Sequence, residues 1–202
     1  MRSPLIRTAF VALAFVLLAP VAHAQLGMAG AAGHRLVSFG IGGGVSVPVS
    51  DAKDAFNTGF NGQGFVRLNL NALPIQPRVD FTFSRFDISD AQLATPGASG
   101  TGQIFAGLAN LQYSILPTGP IRPYIVAGIG AYNTKTDVTG IPSYANTSST
   151  DFGINGGAGI TFKLGNLVSG YVEGRVDNVY TKKGLKNSDQ IQVVPVTFGL
   201  VF

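Results

Sequence analysis

The sequence has no cysteine, no tryptophan and two histidines, and only 12% of its 202 residues are charged. Without cysteine there is no disulfide framework and no thiolate chemistry, so the compartment must be read from other features. Soluble globular domains carry about 25% charged residues, roughly twice the proportion here. No stretch of about 18 apolar residues follows the N-terminal region, which excludes membrane-spanning helices there. A chain that is apolar overall yet lacks apolar runs is what alternating strands with one lipid-facing side produce.

The N-terminus reads as an export signal. Arg2 and Arg7 precede the apolar core Thr8 to Leu18, and Ala22-His23-Ala24 is a small-x-small cleavage site. These are the three regions of a secretory signal peptide over residues 1–24, with cleavage expected after Ala24. The core is too short to cross about 30 Å of hydrocarbon as an anchor. No cysteine follows the site to carry a lipid. Removal leaves 12 basic against 10 acidic residues, a balance that predicts no nucleic-acid partner.

Residues Ile191 to Phe202 show the underlying pattern. Val194, Val196, Phe198, Leu200 and Phe202 share one face of an extended strand, and Val193, Pro195, Thr197, Gly199 and Val201 share the other. An apolar strand ending on an aromatic residue suits a transmembrane barrel, whose last strand pairs with its first and leaves no polar edge in lipid.

Working back, residues 25–35 form a short Gly/Ala-rich lead-in, and a barrel is expected over 36–202. The first strand, from Leu36, sets Val37, Phe39, Ile41, Val45 and Val47 against Ser38, Gly40, Gly42, Gly44 and Ser46. Its glycines read as small residues on a curved strand and not as a phosphate loop, since no helix follows. Further strands are predicted at Gly62–Leu70, Arg78–Ile88, Gly102–Leu116, Ile121–Lys135, Asp151–Leu164 and Leu167–Lys182. The facing of the fifth is ambiguous from its Gly-rich sequence. Short turns at Asn71–Pro77, Pro117–Pro120 and Gly165–Asn166 alternate with longer loops at Ser50–Asn61, Ser89–Thr101, Thr136–Thr150 and Lys183–Gln190. Eight strands with this asymmetry predict an all-β, antiparallel, up-and-down transmembrane barrel with both termini on one side.

Gly42-Gly43-Gly44-Val45-Ser46-Val47-Pro48, Gly59-Phe60-Asn61-Gly62, Arg122-Pro123-Tyr124 and the closing Phe202 together resemble the outer-membrane β-barrel domain family, the OmpA-like eight-stranded group of diderm bacteria. The resemblance covers essentially the whole chain after the signal and is specific to fold, not to activity. It implies a cell-outer-membrane location, with outer-membrane lipid and lipopolysaccharide as surroundings. It also implies assembly by periplasmic chaperones and the barrel-assembly machinery, for which Phe198, Leu200 and Phe202 resemble the recognition signal. Nothing after Phe202 offers a peptidoglycan tether, and a monomer is expected.

Alternation places Arg67, Arg78, Asp80, Lys163, Glu173, Arg175 and Asp177 inside. An eight-stranded barrel is just wide enough for side chains to fill. Mixed charges there predict an ion-paired plug, with a proton relay or a narrow solute pore as rival readings. Tyr113, Tyr124, Tyr132, Tyr171 and Tyr180 are candidates for aromatic girdles, although parity turns Tyr171 inward. Thr136–Thr150, with Tyr144, is the candidate recognition loop against the plainer reading of a solvated loop.

No enzyme is expected. After signal removal the only histidine is His34, ahead of the first strand, so no histidine-dependent triad can form at the outer rim. Asp51 and Asp54 offer at most a weak Ca²⁺ site, and no cofactor or metal is expected. A secreted lipocalin-type barrel would invert the faces, apolar inside and polar outside. Opposite charges crowded onto one face argue against it.

Overall fold

The computed structural model describes residues 35–50, 52–70, 73–88, 99–139, 147–181 and 190–202. Within Leu36–Phe202, which forms one compact unit, eight antiparallel strands close into a barrel in sequence order. They are β1 (Val37–Val49), β2 (Gly59–Leu68), β3 (Ile75–Asp87), β4 (Ser99–Ser114), β5 (Ile121–Thr139), β6 (Thr147–Lys163), β7 (Ser169–Tyr180) and β8 (Gln190–Val201). One turn of helix, α1 (Ala52–Ala55), lies between β1 and β2. The expected signal peptide, Asp51, the side chain of Asp54, and Tyr144 lie outside the described residues.

Cα partners show how the barrel is staggered. The path Ser38, Arg67, Arg78, Asn110, Gly128, Asn155, Asp177, Val193 circles the barrel once and returns to β1 at Pro48, ten residues from its start. This shear tilts every strand against the barrel axis and sets the bore. β1 and β8 pair along Gly40–Val49, and Phe39 and Phe202 exchange backbone hydrogen bonds of 3.1 and 2.8 Å. No edge remains between first and last strands, as closure in lipid requires.

Alternation holds on every strand. Ile41, Val79, Phe81, Leu111, Ile125 and Phe198 point outward and are exposed, whereas Ser46, Asp80, Gln112, Glu173 and Thr197 point inward and are buried. In β5, whose facing the sequence leaves ambiguous, Tyr124, Val126 and Tyr132 are buried while Ile121, Ile125 and Ile129 are exposed. An apolar wall this continuous is an outer surface matched to hydrocarbon and not to water. It excludes the inverted, soluble barrel.

Element boundaries move by a few residues on most strands. β3 starts at Ile75, inside the expected turn, so Pro77 is a strand residue opposite Leu111. β5 and β6 run on to pair Thr136 with Thr147, so most of the expected loop Thr136–Thr150 is a projecting hairpin, with residues 140–146 outside the described set.

The lumen is not uniformly polar. Toward the termini Phe65, Tyr171 and Val201 pack together, with Phe65 and Tyr171 edge to face at 5.5 Å. At the opposite end Phe86, Ala106, Leu108, Tyr132, Val179, Ile191 and Val193 form an apolar cluster closed by Ala52 of α1, with Phe56 packed against it. Arg78, Asp80, Glu173 and Arg175 occupy the waist of the bore.

Candidate functional site: the charged waist of the lumen

Arg78 and Asp80 lie two residues apart on β3, and Glu173 and Arg175 two apart on β7. A spacing of two keeps each pair on one face of its strand. Because β3 and β7 are four strands apart in a ring of eight, the two pairs meet across the lumen. Arg78 Nη1 lies 2.6 Å from Glu173 Oε2 and Arg78 Nη2 2.6 Å from Asp80 Oδ1. Arg175 Nη2 lies 2.6 Å from Glu173 Oε1 and 3.0 Å from Asp80 Oδ1. Each guanidinium therefore touches both carboxylates, and two positive charges balance two negative ones.

Desolvating four charges is costly unless every one is paired and hydrogen-bonded. Neighbouring strands supply the remaining bonds. Gln63 Nε2 donates to Asp80 at 3.0 Å and to Glu173 at 3.1 Å, Tyr124 OH donates to Glu173 Oε2 at 2.9 Å, and Asn110 Nδ2 donates to Asp80 Oδ2. The Arg78 guanidinium also lies 3.7 Å over the Phe65 ring. Two glycines make room: a Cβ at Gly159 would stand 2.5 Å from the Tyr124 hydroxyl, and one at Gly42 2.5 Å from the Tyr171 hydroxyl. Inward glycines on this barrel clear space for aromatic rings as well as shaping the strand.

Other candidates fall into place around this quartet. Arg67 is buried on the terminal side, donating from Nε to Asn69 Oδ1 at 3.1 Å, with no carboxylate within ion-pair distance among the described residues. Asp177 is buried on the opposite side and likewise forms no ion pair with a described residue. Among the described residues its Oδ1, both amide atoms of Asn155 and the Tyr132 hydroxyl have no hydrogen-bond partner. A cavity of about 10 Å³, lined in part by Asn61, Glu173, Arg175 and Asp177, has room for about one water.

Lys163 departs from expectation. Its parity is inward, but it is the last residue of β6 and is exposed at the barrel mouth, out of the network. The tyrosines divide: Tyr113 and Tyr180 are exposed on the outer wall, whereas Tyr124, Tyr132 and Tyr171 are buried in the lumen. Phe198 and Leu200 are outward on β8, and Phe202 is exposed beside Phe39. Sequence reasoning missed Gln63 and Tyr124. Gln63 shares the parity of Arg67, and Ile121, Ile125 and Ile129 would have set the facing of β5, and with it Tyr124.

A model of the outer membrane protein beta-barrel domain matches residues 10–202. The chain belongs to this family, whose members are proteins of the outer membrane. Its fold is shared with the solved structure of Neisserial surface protein A, at 14% identity and a TM-score of 0.61, covering 84% of this chain and 97% of that one. It is also similar to a major outer membrane protein of Thermus thermophilus, at 13% identity and a TM-score of 0.57, with 84% and 99% covered. A third similar structure is Ail, the attachment invasion locus protein of Yersinia pestis in complex with the heparin analogue sucrose octasulfate, at 15% identity and a TM-score of 0.53, with 82% and 97% covered. No curated protein sequence matches. At these identities the likeness is one of fold. On the family's topology the termini and short turns face the periplasm, and α1 and the β5–β6 hairpin face outward.

Proposed function

We propose that this protein is a closed structural barrel of the outer membrane that presents its outer hairpins to partners and conducts nothing through its lumen. The observation that carries the reading is the salt-bridged quartet Arg78–Asp80–Glu173–Arg175 spanning the waist, backed by the apolar cluster under α1. Projection of the β5–β6 hairpin supports the surface role. Beyond Phe152 its residues turn polar, with Asn133 Nδ2 donating to Thr150 Oγ1 at 2.8 Å and Ser149 Oγ to Asp151 at 2.7 Å. The reading is non-enzymatic, since no histidine follows His34 in the sequence. Lipopolysaccharide and lipid would surround the apolar wall, and Phe198, Leu200 and Phe202 would serve the assembly machinery.

A narrow pore is the second reading, favoured by the partnerless polar atoms of Asn155 and Asp177 and the adjoining cavity. Heat-modifiable migration of the membrane-extracted protein, followed by planar-bilayer conductance, separates the two. A faster unboiled band with no conductance steps supports the filled lumen. Reproducible steps from the folded protein would replace it with the pore.

A further inference from the structure

Among the described residues four arginines (67, 78, 122 and 175) and four carboxylates (Asp80, Asp151, Glu173 and Asp177) have inward parity, but the two signs are unevenly placed along the bore, with Asp151 toward the outer hairpin. Asp80 and Glu173 are taken up by Arg78 and Arg175, and Asp177 lies on the outer side of them. The other two arginines, Arg67 and Arg122, lie at the periplasmic mouth.

Arg67 comes from the end of β2 and Arg122 from the start of β5, so both lie on inward faces at the periplasmic ends of their strands. Arg67 is 8% exposed, and its hydrogen bond goes to the neutral Asn69. Arg122 reaches Ser169 Oγ only at 3.4 Å, and its buried Nε has no partner among the described residues. Asn69 in turn donates to Ser38 Oγ at 2.9 Å. Two inward guanidiniums at one mouth, with no ion-paired carboxylate among the described residues, keep unspent donors that an oxyanion can accept from.

We propose that Arg67 and Arg122, with Ser169 beside them, form a binding site for a phosphate-class oxyanion at the periplasmic mouth. A tetrahedral anion offers several oxygens to two planar forks arriving from opposite walls, and its charge offsets the local excess. Chloride offers no comparable geometry. The phosphate group can come from a free anion of the periplasm or from the headgroup of an inner-leaflet phospholipid. The site does not depend on whether the lumen conducts.

The test uses the folded protein in a phosphate-free sugar detergent at constant ionic strength, with folding of every variant checked by heat-modifiable migration. Inorganic phosphate should move the arginine Nε–H resonances of Arg67 and Arg122 in ¹⁵N spectra and raise the unfolding midpoint with saturation, while chloride does neither. Arg122→Gln, at a partly exposed position that leaves the quartet intact, should weaken phosphate binding at least tenfold, and Lys163→Gln should leave it unchanged. A short-chain phosphatidylglycerol in place of phosphate distinguishes the sources: saturation by the lipid at lower concentration assigns the site to a headgroup, and preference for inorganic phosphate assigns it to a free anion. Silence of both resonances toward both ligands would overturn the proposal. So would an equal loss of binding in Lys163→Gln, which would mean diffuse attraction to a basic rim.

Discussion

The waist of the lumen and its outer end solve the same problem with opposite chemistry. Both must fill a bore that admits side chains and little else. The waist does so with Arg78, Asp80, Glu173 and Arg175 and the amides and hydroxyl around them. The outer end does so with Phe86, Leu108, Val179, Ile191 and Val193 beneath Ala52 and Phe56, a small core of the kind a soluble protein has. The difference lies in tolerance. An apolar core loses energy in proportion to the volume removed, whereas a charged network loses far more when one member leaves and strands the rest.

Glu173→Ala is the largest test of that contrast. It leaves Arg78 and Arg175 sharing Asp80 alone and frees Tyr124 OH, and a loss of about 3–5 kcal/mol is expected. Urea unfolding of the protein folded into lipid vesicles measures it. A loss under about 1 kcal/mol would show that water rescues the arginines and that the waist is wet.

Phe86→Ala opens a cavity in the outer cluster beside Phe56, whose ring centroid lies 6.0 Å away. The expected loss is about 3 kcal/mol. Because Phe86 belongs to a different layer from Glu173, the double variant should lose the sum of the two within about 0.5 kcal/mol. A clear departure from additivity would mean that the two layers act as one plug.

Tyr124→Phe removes a single donor from Glu173 Oε2 while Arg78 still holds that oxygen. A cost of about 1.5 kcal/mol is expected for a bond to a charged acceptor. It should not add to Glu173→Ala, since the acceptor is already gone.

The alternation of apolar and polar residues shows which way most strands face from the sequence alone. Parity assigns Arg67, Arg78, Asp80, Glu173, Arg175 and Asp177 to the inward face, where their side chains are buried, because two-residue parity is a property of the extended backbone itself. What it could not show was partnership. Arg78 meets Glu173 across the bore only because closure with a stagger of ten sets β3 against β7, and closure is a property of the whole sheet. Nor could parity reveal the outer cluster, since Leu108, Val179 and Ile191 are apolar on the inward face and blur the alternation there. Girdle residues failed for a related reason. Tyr124 and Tyr132 lie on β5, where glycine and alanine on both parities hide which side meets lipid.

Lys163 marks where parity stops being informative, and it supplies the smallest expected effect. It has inward parity by its position on β6, yet β6 ends there and its side chain is exposed. Parity predicts burial only while strands on both sides continue past a residue, and at the mouth a long side chain can carry its charge into water. Lys163→Gln should therefore change stability by no more than about 0.5 kcal/mol. The same urea titration that registers Glu173→Ala checks it. A loss of several kcal/mol would place Lys163 in the charged network after all, and would mean that the network reaches the periplasmic mouth.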